Sequence, residues 1–240
     1  MVVIFTHIPK TAGNTFASIL YKQYDYETEI IDTYGKDSLP ENINYDNIKC
    51  VVGHHQFGLH THIPRPSQYI TVLRDPVDRV ISDYYFDLKF HGKKIEDWPI
   101  QPFIKHFSNR QTRWIAGNDQ EDLALAKANL NDHFIFAGLT EWFDESLFIM
   151  KQKLGWQDIS YKKYNVNEKR SKVDQVSDDV LDEIKKHNQL DIQLHAYVKN
   201  KLQMELNNLD GDAQKELRQY KNRLCRGAVS DYANPQDYIK

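Results

Sequence analysis

The stretch VIFTHIPKTAGNTF (residues 3–16) sets the reading of the whole chain. Residues 2–6 (VVIFT) are a run of β-branched and aromatic residues, the pattern of a strand buried on both faces. After Pro9, Lys10 and Gly13 comes GNTFASILYKQY, with Phe16, Ile19, Leu20 and Gln23 at roughly helical spacing. Strand, glycine-containing loop and helix in that order aim free helix N–H groups and a positive dipole end back at the loop. Lys10 adds a full positive charge, Thr11 and Thr15 add hydroxyls, and Gly13 lets backbone come close to a ligand. This combination suits a phosphate or a sulfate; the plain alternative is an ordinary βα turn with a solvated lysine. A triphosphate loop, G-x-x-x-x-G-K-[ST], needs a glycine five residues before Gly13 and a lysine directly after it. Ile8 and Asn14 occupy those places.

Further strands are expected at 48–54 (IKCVVGH), 69–75 (YITVLRD) and 133–140 (HFIFAGLT). Pro76 stands where a helix can begin, and Val77, Val80, Ile81, Tyr84, Tyr85 and Leu88 continue as a helical stripe. EDLALAKANL reads as a helix, and long helices are expected at 177–190, 191–206 and 211–225. The alternation predicts an α/β fold, a P-loop-like three-layer α/β/α arrangement with a central, mainly parallel sheet and extra C-terminal helices. One domain over 1–240 is expected: a donor-binding α/β core at 1–142, a mainly helical completion at 143–240, and a polar tail at 228–240 that is expected to be poorly ordered.

The composition fits this. Of 240 residues 40% are hydrophobic, with 14 Tyr, 11 Phe and 4 Trp, enough for a sizeable core and against general disorder. A net charge of −3 argues against a dedicated nucleic-acid binder, so no nucleic-acid partner is expected. Cys50 and Cys225 cannot make a disulfide framework and suit a reducing compartment. Without a basic and apolar leader or a run of about 18 apolar residues, the expectation is a soluble, cytoplasmic protein with no transmembrane segment.

A second anion site is suggested by VLRDPVDRVISDYY (72–85), where Arg74 ends a strand and Ser82 lies on the next helix. A guanidinium fork and a hydroxyl there can share one phosphate. Between the two loops, GHHQFGLHTH (53–62) carries His54, His55, His60 and His62. The cluster suggests a metal at first sight. No cysteine and few acids accompany it, and neighbours on a strand point apart, so a general base is the better reading and no metal is expected.

The ordered set P-K-T-x-G-x-T followed by L-R-D-P-x-x-R-x-x-S-x-Y-Y resembles the sulfotransferase superfamily. HIPKTAG, GHHQFG and QTRWIAG resemble most the branch that contains heparan sulfate 2-O-sulfotransferase, and NQLDIQLHAYVKNKL (188–202) resembles its late helix more weakly. The resemblance implies a PAPS-dependent O-sulfotransferase that moves a sulfuryl group from 3′-phosphoadenosine 5′-phosphosulfate (PAPS) to a hydroxyl-bearing acceptor, a glycan, and releases PAP. It implies that Lys10, Thr11, Ala12, Gly13, Asn14 and Thr15 bind the 5′-phosphosulfate, and that Arg74 and Ser82 bind the 3′-phosphate. Asn14 departs from the usual Thr or Ser, which leaves its backbone N–H as the contact. The G-H-x-x-F register makes His54 the catalytic base, with His55 as fallback and Lys10 stabilising the leaving group. Arg110, Arg113, Lys169 and Arg170 are candidate donor or acceptor contacts, with surface charge or a solvated turn as the plain alternative. The segment KFHGKK (89–94) reads as a solvated face. Two other functions remain open: a Mg-ATP-dependent P-loop phosphotransferase, which Asn14 speaks against, and a catalytically silent nucleotide-binding module.

Overall fold

The structure, a computed structural model, describes residues 1–35, 39–161 and 176–225. Five strands form one sheet: β1 (Val2–Thr6), β2 (Ile30–Asp32), β3 (Cys50–Gly53), β4 (Ser67–Leu73) and β5 (Phe134–Leu139), in the order β2-β3-β1-β4-β5. Every pairing is parallel. All residues of β1 and β3 are buried, as an apolar run covered on both faces requires. The expected α/β class and parallel sheet are what the chain forms.

The helices are α1 (Gly13–Gln23), α2 (Pro76–Phe90), α3 (Ile100–His106), α4 (Arg110–Ala116), α5 (Leu123–Asp132), α6 (Phe143–Leu154), α7 (Asp178–His187), α8 (Gln189–Asn207) and α9 (Gly211–Cys225). Helix α1 buries Phe16, Ala17, Ile19 and Leu20 against the sheet. Helix α2 starts as the sequence indicates, with Pro76 in its first turn and the Asp75 side chain accepting from the Asp78 N–H. Its apolar stripe of Val80, Ile81, Tyr84 and Leu88 packs with Phe103, Ile104 and Ile184 in a satellite cluster between α2, α3 and α7. The late helices fall within two or three residues of the expected bounds.

Three elements were not expected from the sequence. Strand β2 is three residues long, too short to show a period. Helices α3 and α4 have seven residues each, and α4 starts on no local cap. Its N-cap, Asn109, sits in the left-handed region at φ 43°. The cap comes from 80 residues away: Asp191 of α8 accepts from the Gln111 N–H at 3.1 Å, the Thr112 N–H at 2.7 Å and the Thr112 hydroxyl at 2.8 Å. The favour is returned. Asn109 Oδ1 accepts from the N–H groups of Leu190 and Asp191, and Asn188 Oδ1 accepts from the Asn109 N–H.

Asp191 is fully buried, so removing its carboxylate strands these donors and the nearby Arg79 guanidinium. Asp191→Ala should destabilise the protein by about 3 kcal/mol, the scale of charged hydrogen bonds lost in the interior. Urea denaturation checks this, with Asp178→Ala at the exposed start of α7 as the control; equal midpoints would remove the reciprocal cap from the account.

Candidate functional site

Register decides which loops meet. Thr6 of β1 pairs with Gly53 of β3 on one side and Thr71 of β4 on the other. The chain therefore leaves β1 at His7, β3 at His54 and β4 at Arg74 along one edge of the sheet. Strand order places β1 beside β4, with the path from β1 running toward β2 and that from β4 toward β5. Such a switch point opens a crevice beyond the carboxyl ends of the strands. Arg74 spans it: its Nη1 donates to the Lys10 carbonyl at 3.1 Å, and Nη2 lies 3.7 Å from Asp78.

The loop after β1 is shaped by two residues that are not glycine. Lys10 has φ 69° and Ala12 has φ 63°. Left-handed backbone is costly for residues with a Cβ. Ala12 is followed at once by the helical Gly13 at the N-terminus of α1, and alternation of left-handed and helical backbone is the pattern from which nests of N–H groups are built. Gly13 does something other than expected. Its φ is not left-handed, and a Cβ on it would lie 1.8 Å from Cδ2 and Nε2 of His7. The glycine admits the His7 ring rather than a ligand.

The other loop residues sort themselves by burial. Thr11 differs from the expectation: its hydroxyl is buried and donates to the Ile8 carbonyl at 2.8 Å, so only its backbone can serve an anion. Thr15 is buried in the first turn of α1 and Asn14 is exposed. The Lys10 ammonium sits 4.0 Å over the Phe86 ring, one turn of α2 beyond the half-buried Ser82. Lys10, Arg74 and Ser82 thus gather where the β1 loop meets α2.

The histidine cluster separates into distinct roles. His54 Nδ1 lies 2.9 Å from the His7 carbonyl oxygen, which can only accept. Nδ1 therefore carries the proton of the neutral ring, and the lone pair is on Nε2. One face of the ring packs on His7 at a centroid distance of 4.3 Å, while the residue as a whole remains exposed. Desolvation of the packed face of the ring, with the Arg110 charge, lowers the His54 pKa from its usual value, against the opposing pull of the His7 carbonyl and Asp83. His55 is turned away: its Nε2 is hydrogen-bonded to the Thr33 hydroxyl, which already donates to the Val52 carbonyl. Gly53 makes this possible, since a Cβ there would meet Thr33 Oγ1 at 2.0 Å. His60 is tied through Nδ1 to the Tyr69 hydroxyl at 2.9 Å, and His62 is exposed. No group of three or more His, Cys, Asp or Glu among the described residues is arranged to hold a metal ion.

Arg110 stands beside this edge, bonded to Asp83 at 2.8 Å and faced by the rings of Phe107 and Trp114. Trp114 lies edge-on to His54 at 6.3 Å. Arg113 is directed elsewhere, to the His106 carbonyl at the end of α3. Lys169, Arg170, their segment 164–172 and the tail 228–240 lie outside the described residues.

Four contributors escaped the sequence reading. His7 lies inside the loop motif but reads there as a strand end. Tyr34 reaches the site from a segment with no motif of its own, and Trp114 stands inside QTRWIAG, where the charge of Arg113 rather than the ring marks a candidate. Gln111 clamps Arg74, its Oε1 accepting from the Arg74 N–H and its Nε2 donating to the Arg74 carbonyl, both at 2.9 Å.

The edge thus combines a parallel sheet, a left-handed loop at the first helix, an arginine across the switch point and a histidine at the next strand end. The chain belongs to the sulfotransferase family, whose model matches residues 1–145. It is similar to the protein-tyrosine sulfotransferase of Arabidopsis thaliana, with 33% identity over 148 residues, which are 61% of this chain and 27% of that protein. The chain thus spans about a quarter of that relative's length. A crystal structure of mouse sulfotransferase SULT7A1 complexed with PAP covers 65% of the chain, and 59% of that chain is covered, at 14% identity and a TM-score of 0.45.

The loop geometry reverses the ordinary expectation about glycine. Gly13→Ala should cost about 1–3 kcal/mol through overpacking against His7, whereas Ala12→Gly, at the left-handed position, should leave the melting temperature unchanged or raised. Thermal denaturation of both variants checks it, and the opposite order would mean that the loop does not have this conformation.

Proposed function

We propose that the chain is a PAPS-dependent O-sulfotransferase with His54 as general base. The observation that carries the reading is the pairing on one sheet edge of the left-handed loop at Lys10–Ala12 with a histidine whose Nδ1 is bonded to a backbone carbonyl, which leaves the lone pair on Nε2. The residues fit the donor. The nest at residues 10–15 and the N-terminus of α1 suit its 5′-phosphosulfate, and Arg74 with Ser82 suits its 3′-phosphate. PAPS supplies an activated sulfuryl group and leaves as 3′,5′-adenosine bisphosphate.

In this scheme His54 Nε2 takes the acceptor's hydroxyl proton as the acceptor oxygen bonds to sulfur. The bond from sulfur to the 5′-phosphate oxygen breaks, and the electron pair stays on that phosphate. Lys10 and the loop N–H groups hold the charge that develops there. Gln111 fixes Arg74 by both backbone groups, so the 3′-phosphate sets the donor in line with His54. The division into a donor-binding part at 1–142 and a helical completion at 143–240 belongs to the same reading, supported by a family match that stops at 145.

The acceptor is a hydroxyl compound, and the motif resemblance favours a sugar. Trp114 offers a flat apolar face near His54, and Arg110 beside it suits an anionic acceptor. A tyrosine acceptor is the second reading, favoured by the name of the Arabidopsis relative. Among the described residues, no helix is long and apolar enough to cross a membrane.

Calorimetry with 3′,5′-adenosine bisphosphate, beside ATP with Mg²⁺, tests the donor. Binding of the bisphosphate without metal, lost in Arg74→Ala, is expected; binding of ATP with Mg²⁺ alone would return the chain to the phosphotransferases. His54→Ala should lower kcat by about 10²–10⁴ with bisphosphate binding retained, the range for a general base. Assays with a glycan and with a tyrosine peptide separate the two acceptors. Because the His54 pKa is lowered, the base is already deprotonated at neutral pH. In kcat/KM for the donor, which reports the free protein, activity should stay level above pH ~6.5 and fall only on the acid side of that ordinary histidine value. An acid limb centred above it would contradict the assigned environment.

A further inference from the structure

His7 is the buried titratable group that this scheme leaves unused. The residue is 4% exposed, its ring stacks on His54, and its Cδ2–Nε2 edge lies against Gly13, the first residue of α1. On the opposite side, Nδ1 is 2.5 Å from the Tyr34 hydroxyl. Among the described residues Nε2 has no hydrogen-bond partner. It is not among the fully buried unpaired side-chain atoms of the described residues, so it is open to a further partner beside the start of the eleven-residue α1.

The Tyr34 contact fixes the tautomer. Tyr34 OH has one proton to give, and among the described residues His7 Nδ1 is its one hydrogen-bond partner. If Nδ1 carried a proton instead, the hydroxyl would accept it and its own O–H would be left unpaired in a largely enclosed site. Burial and Asp32 keep the phenol protonated by raising its pKa, while burial, His54 and Lys10 hold His7 well below the usual value and hence neutral. The remaining proton is on Nε2, at the edge that faces Gly13.

We propose that His7 is an uncharged N–H donor to the 5′-phosphate held by the loop, with Tyr34 accepting no part in the chemistry beyond fixing that tautomer. The inference rests on the donor reading above and adds to it a contact at the bottom of the nest. It also assigns a reason to Gly13, because any side chain there would push the ring away from the helix start. Two imidazoles 4.3 Å apart cannot both be cations without strong repulsion. A His7 that stays neutral leaves proton transfer to His54 alone.

The test compares two ligands on three proteins. Wild type, His7→Phe and Arg74→Ala are titrated with 3′,5′-adenosine bisphosphate and with adenosine 3′-monophosphate. His7→Phe keeps the ring and loses the donor. It should weaken the bisphosphate by about tenfold or more, the loss of a hydrogen bond to a charged group, and leave the monophosphate within about twofold. Arg74→Ala should weaken both. In parallel, ¹⁵N spectra of histidine-labelled wild type should show one ring with Nε2 protonated and Nδ1 accepting. Its Nε2 resonance should move when the bisphosphate is added, and Tyr34→Phe should mix its tautomers.

A folded His7→Phe that binds the bisphosphate like wild type overturns the inference and leaves the donor reading intact. So does a ring protonated at Nδ1, which needs no variant to observe. A wild type that ignores the bisphosphate overturns the donor reading and the inference with it.

Discussion

The register of β1 with its two neighbours is the constraint on which the site depends. Because Thr6 lies opposite both Gly53 and Thr71, three chain segments emerge side by side from the centre of the sheet. A slip of one residue would turn each side chain of β1 to the opposite face and carry His7 away from His54. That register is held by apolar burial on both faces and by Thr71, whose hydroxyl donates to the Thr6 carbonyl at 2.9 Å. The geometry of the candidate site is therefore inherited from the most buried part of the protein. This suits a reaction that demands alignment within a fraction of an ångström.

Behind that edge stands a buried polar frame. Arg79 is fully buried and donates to Asp83 at 3.2 Å and to the Phe107 carbonyl at 3.2 Å. Asp83 is shared with Arg110, and Asp191 adds a second negative charge near Arg79. Buried charges are expensive unless each is answered, and a set of this kind is weak evidence of net stability. Its physical effect is positional. Through Asp191 the start of α8 fixes the start of α4, through Gln111 α4 fixes the backbone of Arg74, and through Asp83 α2 fixes Arg110. By this route α8 is coupled to the site.

Much of this was legible in the sequence and some was not, for reasons that differ by residue. The β1–loop–α1 unit was readable because its apolar run, loop and helical period are all local. The start of α2 was readable because Pro76 marks a first turn locally, whereas the Asp75 cap beside it is visible only in the structure. Helix α4 was not, since its cap comes from Asp191, and no local pattern encodes a partner 80 residues away. Among the candidate site residues, Arg74 reaches the Lys10 carbonyl and the Lys10 ammonium reaches Phe86, one turn of α2 beyond Ser82. Thr11 does not face the crevice with its hydroxyl, because a short β-strand exit lets that group reach back to Ile8. Gly13 was identified for the wrong physical reason: the sequence shows that a side chain is missing and cannot show that His7 fills the space. Arg113 carries the same charge as Arg110 three residues earlier, and only the helix rotation of α4 decides which of them meets Asp83.

The site also has to reconcile a base with a collection of cations. On the proposed reading the cations that serve anionic substrates also oppose protonation of the nearby imidazoles, Lys10 acting on His7 and Arg110 on His54. For His7 the effect is large because Lys10 adds to nearly complete burial; for His54 it is tempered by Asp83 and by the His7 carbonyl at Nδ1. On the proposed reading an anion in the loop would offset the same cations, and by linkage it would raise the basicity of His54 just when the donor is in place. A base that is neutral before the donor arrives and more basic afterwards avoids idle protonation in the free protein. On that reading the packing of His54 against His7 lets the two rings divide the work: one is bonded through Nδ1 to a backbone carbonyl and keeps its lone pair on Nε2, the other is bonded through Nδ1 to a tyrosine and keeps its proton on Nε2. The same side chain thus serves as acceptor and as donor a few ångströms apart, because the oxygen bonded to each Nδ1 is different.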